Sequence, residues 1–376
     1  MKIRGCYIFA CILSIVFSSC TLEHKEEHVQ QISGYDREAP LHNIKDLIVS
    51  FSCVQLQRTR ESAISNINKV EMIDSIIVVS ADNRLLAFDM KGKYLHSFGD
   101  DAHRANEYST LTSFYPDKDH NVVAVDADSG RLVTYSLAGD YLNTRKVNRN
   151  LFTDVQDICQ IDRNTLFASL YVHGGANTLF ELIDLNHGYV EDMAHSTIKA
   201  GNARMQIGYH PFSKMGDAIR WVSPCSKRID GYNVDCSLLI NSSKCEPRSE
   251  ALQPIDDLSI AIYHPLMQDE LFVGFTDIFE TKDYLVLFCL DVECVVINKR
   301  SWKCSRYSYP QMGTYETLPL LGIKASTSDY LVGILYPIDF EQLRVDDITD
   351  DGIRKVLDLR RHIDKNGNPI LLLYRI

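Results

Sequence analysis

Two Tyr-His-Pro triplets, Tyr209-His210-Pro211 and Tyr263-His264-Pro265, carry the most immediate chemical promise in this 376-residue chain. Neutral imidazole is a common ligand for metals and polar groups, so His210 and His264 would hold a ligand between them if both faced one cavity. Proline cannot donate to a sheet and marks loop entry, so a purely structural role explains both triplets more simply. Asp126-Ala127-Asp128-Ser129-Gly130 opens like a calcium loop, in which alternating carboxylates converge on a hard cation. An EF-hand loop would place Glu where Leu137 stands, and Asp and Gly accept the angles of a strand-connecting turn, which is the expectation here. No Gly-x-Ser-x-Gly elbow, His-Glu-x-x-His pair or phosphate-binding glycine loop occurs. No catalytic residue, cofactor or resident metal is expected, although carboxylates dispersed over a repeat array would escape such a search.

Cys20 carries a different chemistry. Lys2 and Arg4 precede an apolar run from Tyr7 to Phe17, and the small residues Ser18 and Ser19 lead directly to the cysteine. The run is too short for a membrane-spanning helix and has the three parts of a secretory signal. Small residues before a cysteine resemble the lipobox of bacterial lipoproteins, with Phe17 where Leu is more usual. That resemblance implies cleavage before Cys20 and lipid attachment to it. Residues 1–19 are then signal peptide, and 20–45, polar and without sustained periodicity, are expected as a flexible tether. Within it, Lys25-Glu26-Glu27 resembles a signal that sends some lipoproteins to the cell surface; a solvated charge run is the plainer reading. The expected location is the outer membrane, facing the periplasm or the surface.

The formal charge of −11 repels phosphate backbones, so nucleic acid is not an expected partner. Of 11 cysteines, Cys6 and Cys11 leave with the signal. Among those that remain, Cys225, Cys236 and Cys245, and Cys289, Cys294 and Cys304, are near enough in sequence for cross-strand disulfides, while buried free thiols acting as small apolar side chains serve equally well. No pair has the spacing of a zinc or redox site.

The elements that must position these residues come from a repeat. Arg84, Leu85, Phe88, Gly92, Tyr94 and Leu95 recur at constant offset as Arg131, Leu132, Tyr135, Gly139, Tyr141 and Leu142. The unit is a β-meander whose strands, such as Leu85-Leu86-Ala87-Phe88, are apolar on both faces and so must be covered on both sides. Small sheets stacked radially meet that demand. Looser copies lie at Leu179 to Asp184, Ala218 to Val222, Ile278 to Phe288 and Tyr330 to Tyr336, giving about six blades of propeller-repeat size. Only Asp350 to Ile363 reads as helix, inserted in the last blade. A ring must close to remove its raw edges, and Leu47 to Phe51 with Pro369 to Ile376 are the candidates for the seam. The expectation is an all-β, six-bladed β-propeller over 46–376.

The stretch from Val79-Ser80-Ala81-Asp82-Asn83-Arg84 to Leu95 resembles an NHL-type propeller repeat. Phe98-Gly99 leading to Asn106-Glu107-Tyr108, then Ile278-Phe279-Glu280-Thr281 and the ending Asn368-Pro369-Ile370-Leu371, resemble six-bladed TolB-like propeller lipoproteins. The resemblance implies the fold, and fold alone does not give function. The expected function is a membrane-anchored, non-catalytic propeller that binds a protein partner or extracellular ligand, with His210 and His264 as candidate ligand contacts. The alternatives are a metal-dependent hydrolase or lactonase acting in the central channel and a structural accessory of an envelope assembly.

Overall fold

The computed structural model describes residues 28–35, 39–99, 108–174, 176–196, 204–206, 208–246, 271–272, 274–289, 293–308, 323–338, 364 and 366–376. An N-terminal arm carries β1 (Val29–Ile32), β2 (Leu41–Asn43) and β3 (Ser50–Gln55). Blade 1 follows with β4 (Ile67–Ile73), β5 (Ile76–Ala81), β6 (Arg84–Asp89) and β7 (Tyr94–Phe98). Blade 2 holds β8 (Ser113–Pro116), β9 (Val122–Asp126), β10 (Arg131–Tyr135) and β11 (Tyr141–Lys146). Blade 3 holds β12 (Val155–Gln160), β13 (Thr165–Leu170), β14 (Thr178–Asp184) and β15 (Tyr189–His195). Blade 4 is β16 (Phe212–Met215), β17 (Ala218–Val222), β18 (Arg228–Tyr232) and β19 (Ser237–Ile240). Blade 5 is β20 (Phe275–Glu280), β21 (Tyr284–Cys289), β22 (Glu293–Asn298) and β23 (Lys303–Ser308). Blade 6 is β24 (Ile323–Ser326), β25 (Leu331–Leu335) and β26 (Ile370–Arg375), completed by β3 from the arm.

The two-faced apolar strands do what their composition demands. Each of six hydrophobic clusters is shared by successive blades, and the one holding Ala325, Val332 and Leu371 with Ile67, Val79 and Phe88 joins blade 6 to blade 1. The ring is therefore closed. Antiparallel pairing of β3 with β26, from Ser50↔Arg375 to Gln55↔Ile370, forms the seam, a few residues beyond the expected Leu47 to Phe51. The repeated glycine makes the same turn in blades 1 and 2, at φ 81° for Gly92 and 92° for Gly139, a region that L side chains avoid. At Gly92 a Cβ would also run into the carbonyl oxygen of Gln55, so the turn is fixed against the seam strand.

In its described part, 28–35 and 39–45, the arm corrects the expectation of a flexible tether over 20–45. β1 lies parallel to β19, with Val29↔Ser237 and Ile32↔Ile240, and β2 lies parallel to β23. Ile32 and Tyr35 are buried in the core shared by blades 4 and 5. These strands are polar at most positions and pair through their backbones at a sheet edge, so side-chain pattern alone does not announce them. The helix expected over Asp350 to Ile363 lies outside the described residues.

Strand direction sorts the connections onto two rims. The first strand of each blade runs toward a rim of short turns, at 74–75, 117–121, 161–164, 216–217, 281–283 and 327–330. The strand ends that bound 99–112, 196–211, 241–274, 309–322 and 336–369 lie at the opposite rim. Because β1 runs parallel to the fourth strand of blade 4, the arm enters from the short-turn rim.

Candidate functional site

The first strands of the blades surround the axis and supply its lining. Each has one face in a blade core, so the alternate residues are left to meet across the channel. In β4, Lys69 and Glu71 alternate with Val70 and Met72, which pack into the core shared by blades 6 and 1. Lys69 Nζ lies 2.7 Å from Asp157 Oδ1 on β12, 3.5 Å from Glu71 and 3.3 Å from the Ile158 carbonyl oxygen. Ser113 on β8 donates its hydroxyl to the same Asp157 oxygen at 2.7 Å, and the Ile158 amide donates at 2.8 Å. Three blades thus meet in one network, with the Lys69 and Asp157 side chains only 15% and 14% exposed. Burial pushes the Lys69 ammonium down, and Asp157 with Glu71 outweighs it, leaving the group above its ordinary value.

Beside this network is a channel cavity of about 230 Å³ lined by Cys159, Gln160, His210, Ser213, Lys214 and Ser326. Lys214 closes one side by donating to the Gln160 carbonyl at 2.6 Å. Burial raises the Cys159 thiol to about 12, so it stays protonated and is a poor nucleophile at neutral pH. Asp157 and Glu71 bring negative charge to the channel, but Lys69 stands against both. Among the described residues no three His, Cys, Asp or Glu converge as a metal site.

The structure places His210 where the channel meets the long-connection rim. Its ring stacks on Phe279 at 4.5 Å, and Nδ1 lies 2.8 Å from the Ile278 carbonyl oxygen. Its amide donates to the Asp277 carboxylate at 2.6 Å, while the Ile278 amide donates to its carbonyl at 2.9 Å. These bonds join blade 4 to blade 5, which is the structural work expected of a loop-entry residue. Its neighbour Tyr209 is 68% exposed, with Lys324 Nζ 3.5 Å from the ring centroid. Burial lowers the Lys324 ammonium and Asp277 partly opposes that shift, so the mouth carries a half-buried cation on an exposed aromatic face. His264 and Cys20 lie outside the described residues, so the pairing of His210 with His264 has no geometry to report.

Two clefts open between blades 2 and 3. On the long-connection rim, a cleft of about 530 Å³ is lined by Arg149, Asn150, Asp154, Tyr171 and Arg204. Asp154 holds His173 Nε2 at 2.8 Å and Arg204 Nε at 3.3 Å, and the Arg204 guanidinium lies 4.2 Å above Tyr171. On the short-turn rim, a cleft of about 860 Å³ includes Asp117, Asn143, Arg145 and Asn164. Arg145 reaches from blade 2 to Asn164, Asn186 and the Arg163 carbonyl of blade 3, each at 3.1 Å.

The Asp126 loop is a turn. Asp126 accepts from the Ser109 amide and hydroxyl at 2.8 and 2.9 Å, from the Ser129 amide at 3.1 Å, and from Arg131 at 3.0 Å. Burial raises its carboxyl, and these donors more than reverse the shift, so its own chain satisfies the charge. The eight described cysteines, including the six in the two sequence clusters, are thiols and not disulfides.

Sequence reasoning missed Lys69, Ser113 and Asp157. The available signal was a lysine and an aspartate within strands otherwise apolar at alternate positions, but nothing in one chain says that these residues meet.

A family model for a domain of unknown function, DUF4934, matches residues 30–375. The chain is similar to a Bacteroides fragilis protein described as exported, with TM-score 0.66 and 16% identity over 93% of this chain and 99% of that one. It is also similar to a member of the DUF4221 family from Bacteroides vulgatus, with TM-score 0.46 and 8% identity over 87% of this chain and 96% of that one. At 16% identity the likeness to the B. fragilis protein concerns the fold alone. No curated protein matches.

Proposed function

This chain belongs to the DUF4934 family, and from the opposed rims of its ring we propose an exported lipoprotein, anchored through lipid on Cys20, whose propeller binds a protein partner or extracellular ligand without chemistry of its own. The asymmetry of the rims carries the reading. The strand ends joined by the longest stretches of chain lie on one side of a rigid closed ring, the side on which such scaffolds carry loops for recognition. The arm leaves from the opposite rim, so an anchor ahead of it would hold the loop-bearing rim away from a bilayer. Tyr209 and Lys324 mark the channel mouth on that presented side, with His210 just inside. The secretory pattern before Cys20 and the exported B. fragilis relative support export, and the resemblance to TolB-like and NHL-like propeller lipoproteins supports the anchor. The outer membrane, on its periplasmic or surface side, is the proposed location. The rival, a channel hydrolase dependent on a metal, would have to draw on Asp157 and Glu71, which Lys69 already engages.

Capture of partners from the native envelope tests this, comparing the intact protein with Tyr209→Ala/Lys324→Ala. The variant should fold and lose the captured partner at least about tenfold, as for an interface centre. Equal recovery by the variant, or palmitate labelling that persists in Cys20→Ala, overturns the proposal.

A further inference from the structure

The arm shows how this propeller uses the outer edges of its blades. On blade 4 and again on blade 5 an extended segment is added as a fifth strand, parallel to the fourth. Counting back round the ring, the next edge is that of blade 3, and among the described residues no strand lies outside β15. We propose that this edge takes up an extended, basic segment of a partner polypeptide as a fifth parallel strand. The surface lies on the side of the ring, distinct from the loop-bearing rim.

Three observations point to that occupant. Tyr189 and Val190 are 54% and 40% exposed at the start of β15, an apolar step that an added strand would cover. Glu191 and Asp192 follow, both exposed. The register of the sheet then sets Asp192 directly opposite Glu181 on β14, a like-charge cross-strand pair of the kind that destabilises a sheet. Burial raises the Glu181 carboxyl to about 7, and Asp192 and Asp154 push it the same way. A Lys or Arg opposite Asp192 on a fifth strand would share the face on which these two carboxylates oppose each other and would relieve the repulsion.

The edges of blades 1 and 2 lack this combination. The β7 edge is engaged by Gln57, whose amide donates to the Gly92 carbonyl at 2.7 Å and whose side chain accepts from the Tyr94 amide at 3.0 Å. The β11 edge ends in Arg145 and Lys146, the opposite charge. A second copy pairing β15 on β15 would set acid against acid. Strand addition gives affinity through the backbone and leaves selectivity to the side chains, which here select for positive charge.

The test uses the purified full chain, a peptide of about ten residues alternating valine with lysine, and its valine–glutamate counterpart. The lysine peptide should bind, protect β15 amides from hydrogen exchange, and weaken as salt rises. Glu191→Lys/Asp192→Lys alters two exposed side chains, so folding is retained. It should weaken the lysine peptide at least about tenfold and gain the glutamate peptide, as charge complementarity requires. Lys146→Glu on β11 should change neither. Four results would overturn the proposal: no binding by the wild type, binding indifferent to charge reversal, protection confined to the loop-bearing rim, or self-association of the wild type that charge reversal abolishes.

Discussion

Replacing Lys69 by Met leaves the Asp157 carboxylate in the channel wall without its counter-charge. At 2.7 Å the pair attracts by about 6 kcal/mol at an effective dielectric of about 20, offset by several kcal/mol of desolvation for each ion. The intact pair is therefore nearly neutral for stability, while removing one partner exposes the cost of the other, typically about 3–5 kcal/mol. The Ser113 hydroxyl and Ile158 amide still donate to Asp157, which places the expected loss near the lower end, about 3 kcal/mol. Lys69→Met/Asp157→Asn removes both charges of the close pair and keeps an acceptor for Ser113, and the Glu71 left behind is one-third exposed to water, so it should return to within about 1 kcal/mol of the wild type. Urea unfolding followed by far-UV circular dichroism at neutral pH reads both variants, with the denaturant slope unchanged. A Lys69→Met loss below about 1 kcal/mol, or a double variant no better than the single one, would refute the buried network as the tie between blades 1, 2 and 3.

Glu181 gives stability a pH dependence of defined sign. Its folded-state carboxyl titrates near 7 against an ordinary 4.5, so between those values the native state keeps a proton that the unfolded chain has lost, and stability falls as pH rises through that window. The group is half-exposed, so solvent screening reduces the effect to about 1 kcal/mol, and Glu181→Gln should flatten the slope in melts at acid and mildly alkaline pH. An equal slope in the variant would remove Glu181 as its source. Ile32→Ala should cost about 3 kcal/mol because the side chain is fully buried, whereas Gln31→Ala should be silent; equal effects would return the arm to the status of a tether. Native alkylation should modify exposed Cys245 first and reach Cys159, Cys225 and Cys294 only after unfolding, with no mass change on reduction for disulfides among the eight described cysteines.

The architecture was legible because ring closure leaves a mark on every blade. A strand buried on both faces cannot alternate, and the Gly92 and Gly139 turns recur at fixed offset, so sequence alone implied radial stacking and the Ile370 end of the seam. The arm was illegible for the converse reason. Val29-Gln30-Gln31-Ile32 buries little besides Ile32 and is held by backbone pairing to Ser237–Ile240, an interaction that places few demands on side chains. The channel network was hidden by distance in sequence: Lys69, Ser113 and Asp157 make sense only once three first strands share an axis. His210 was visible as an unusual residue, yet its observed contacts to Ile278, Asp277 and Phe279 are those of a joint between blades.

On the proposed reading, recognition falls on the outside of the ring. A channel whose charges satisfy one another has little capacity to discriminate ligands, because any newcomer must compete with contacts already made at 2.7 Å. Tyr209 at the mouth, and Tyr189 to Asp192 along blade 3, present exposed apolar and charged groups. The closed core lets these surfaces vary without cost to the fold, since the six shared clusters lie beneath them and do not include these exposed residues. A scaffold of this kind can change partners by altering its loops and edge strands while Lys69, Asp157 and the blade cores stay fixed.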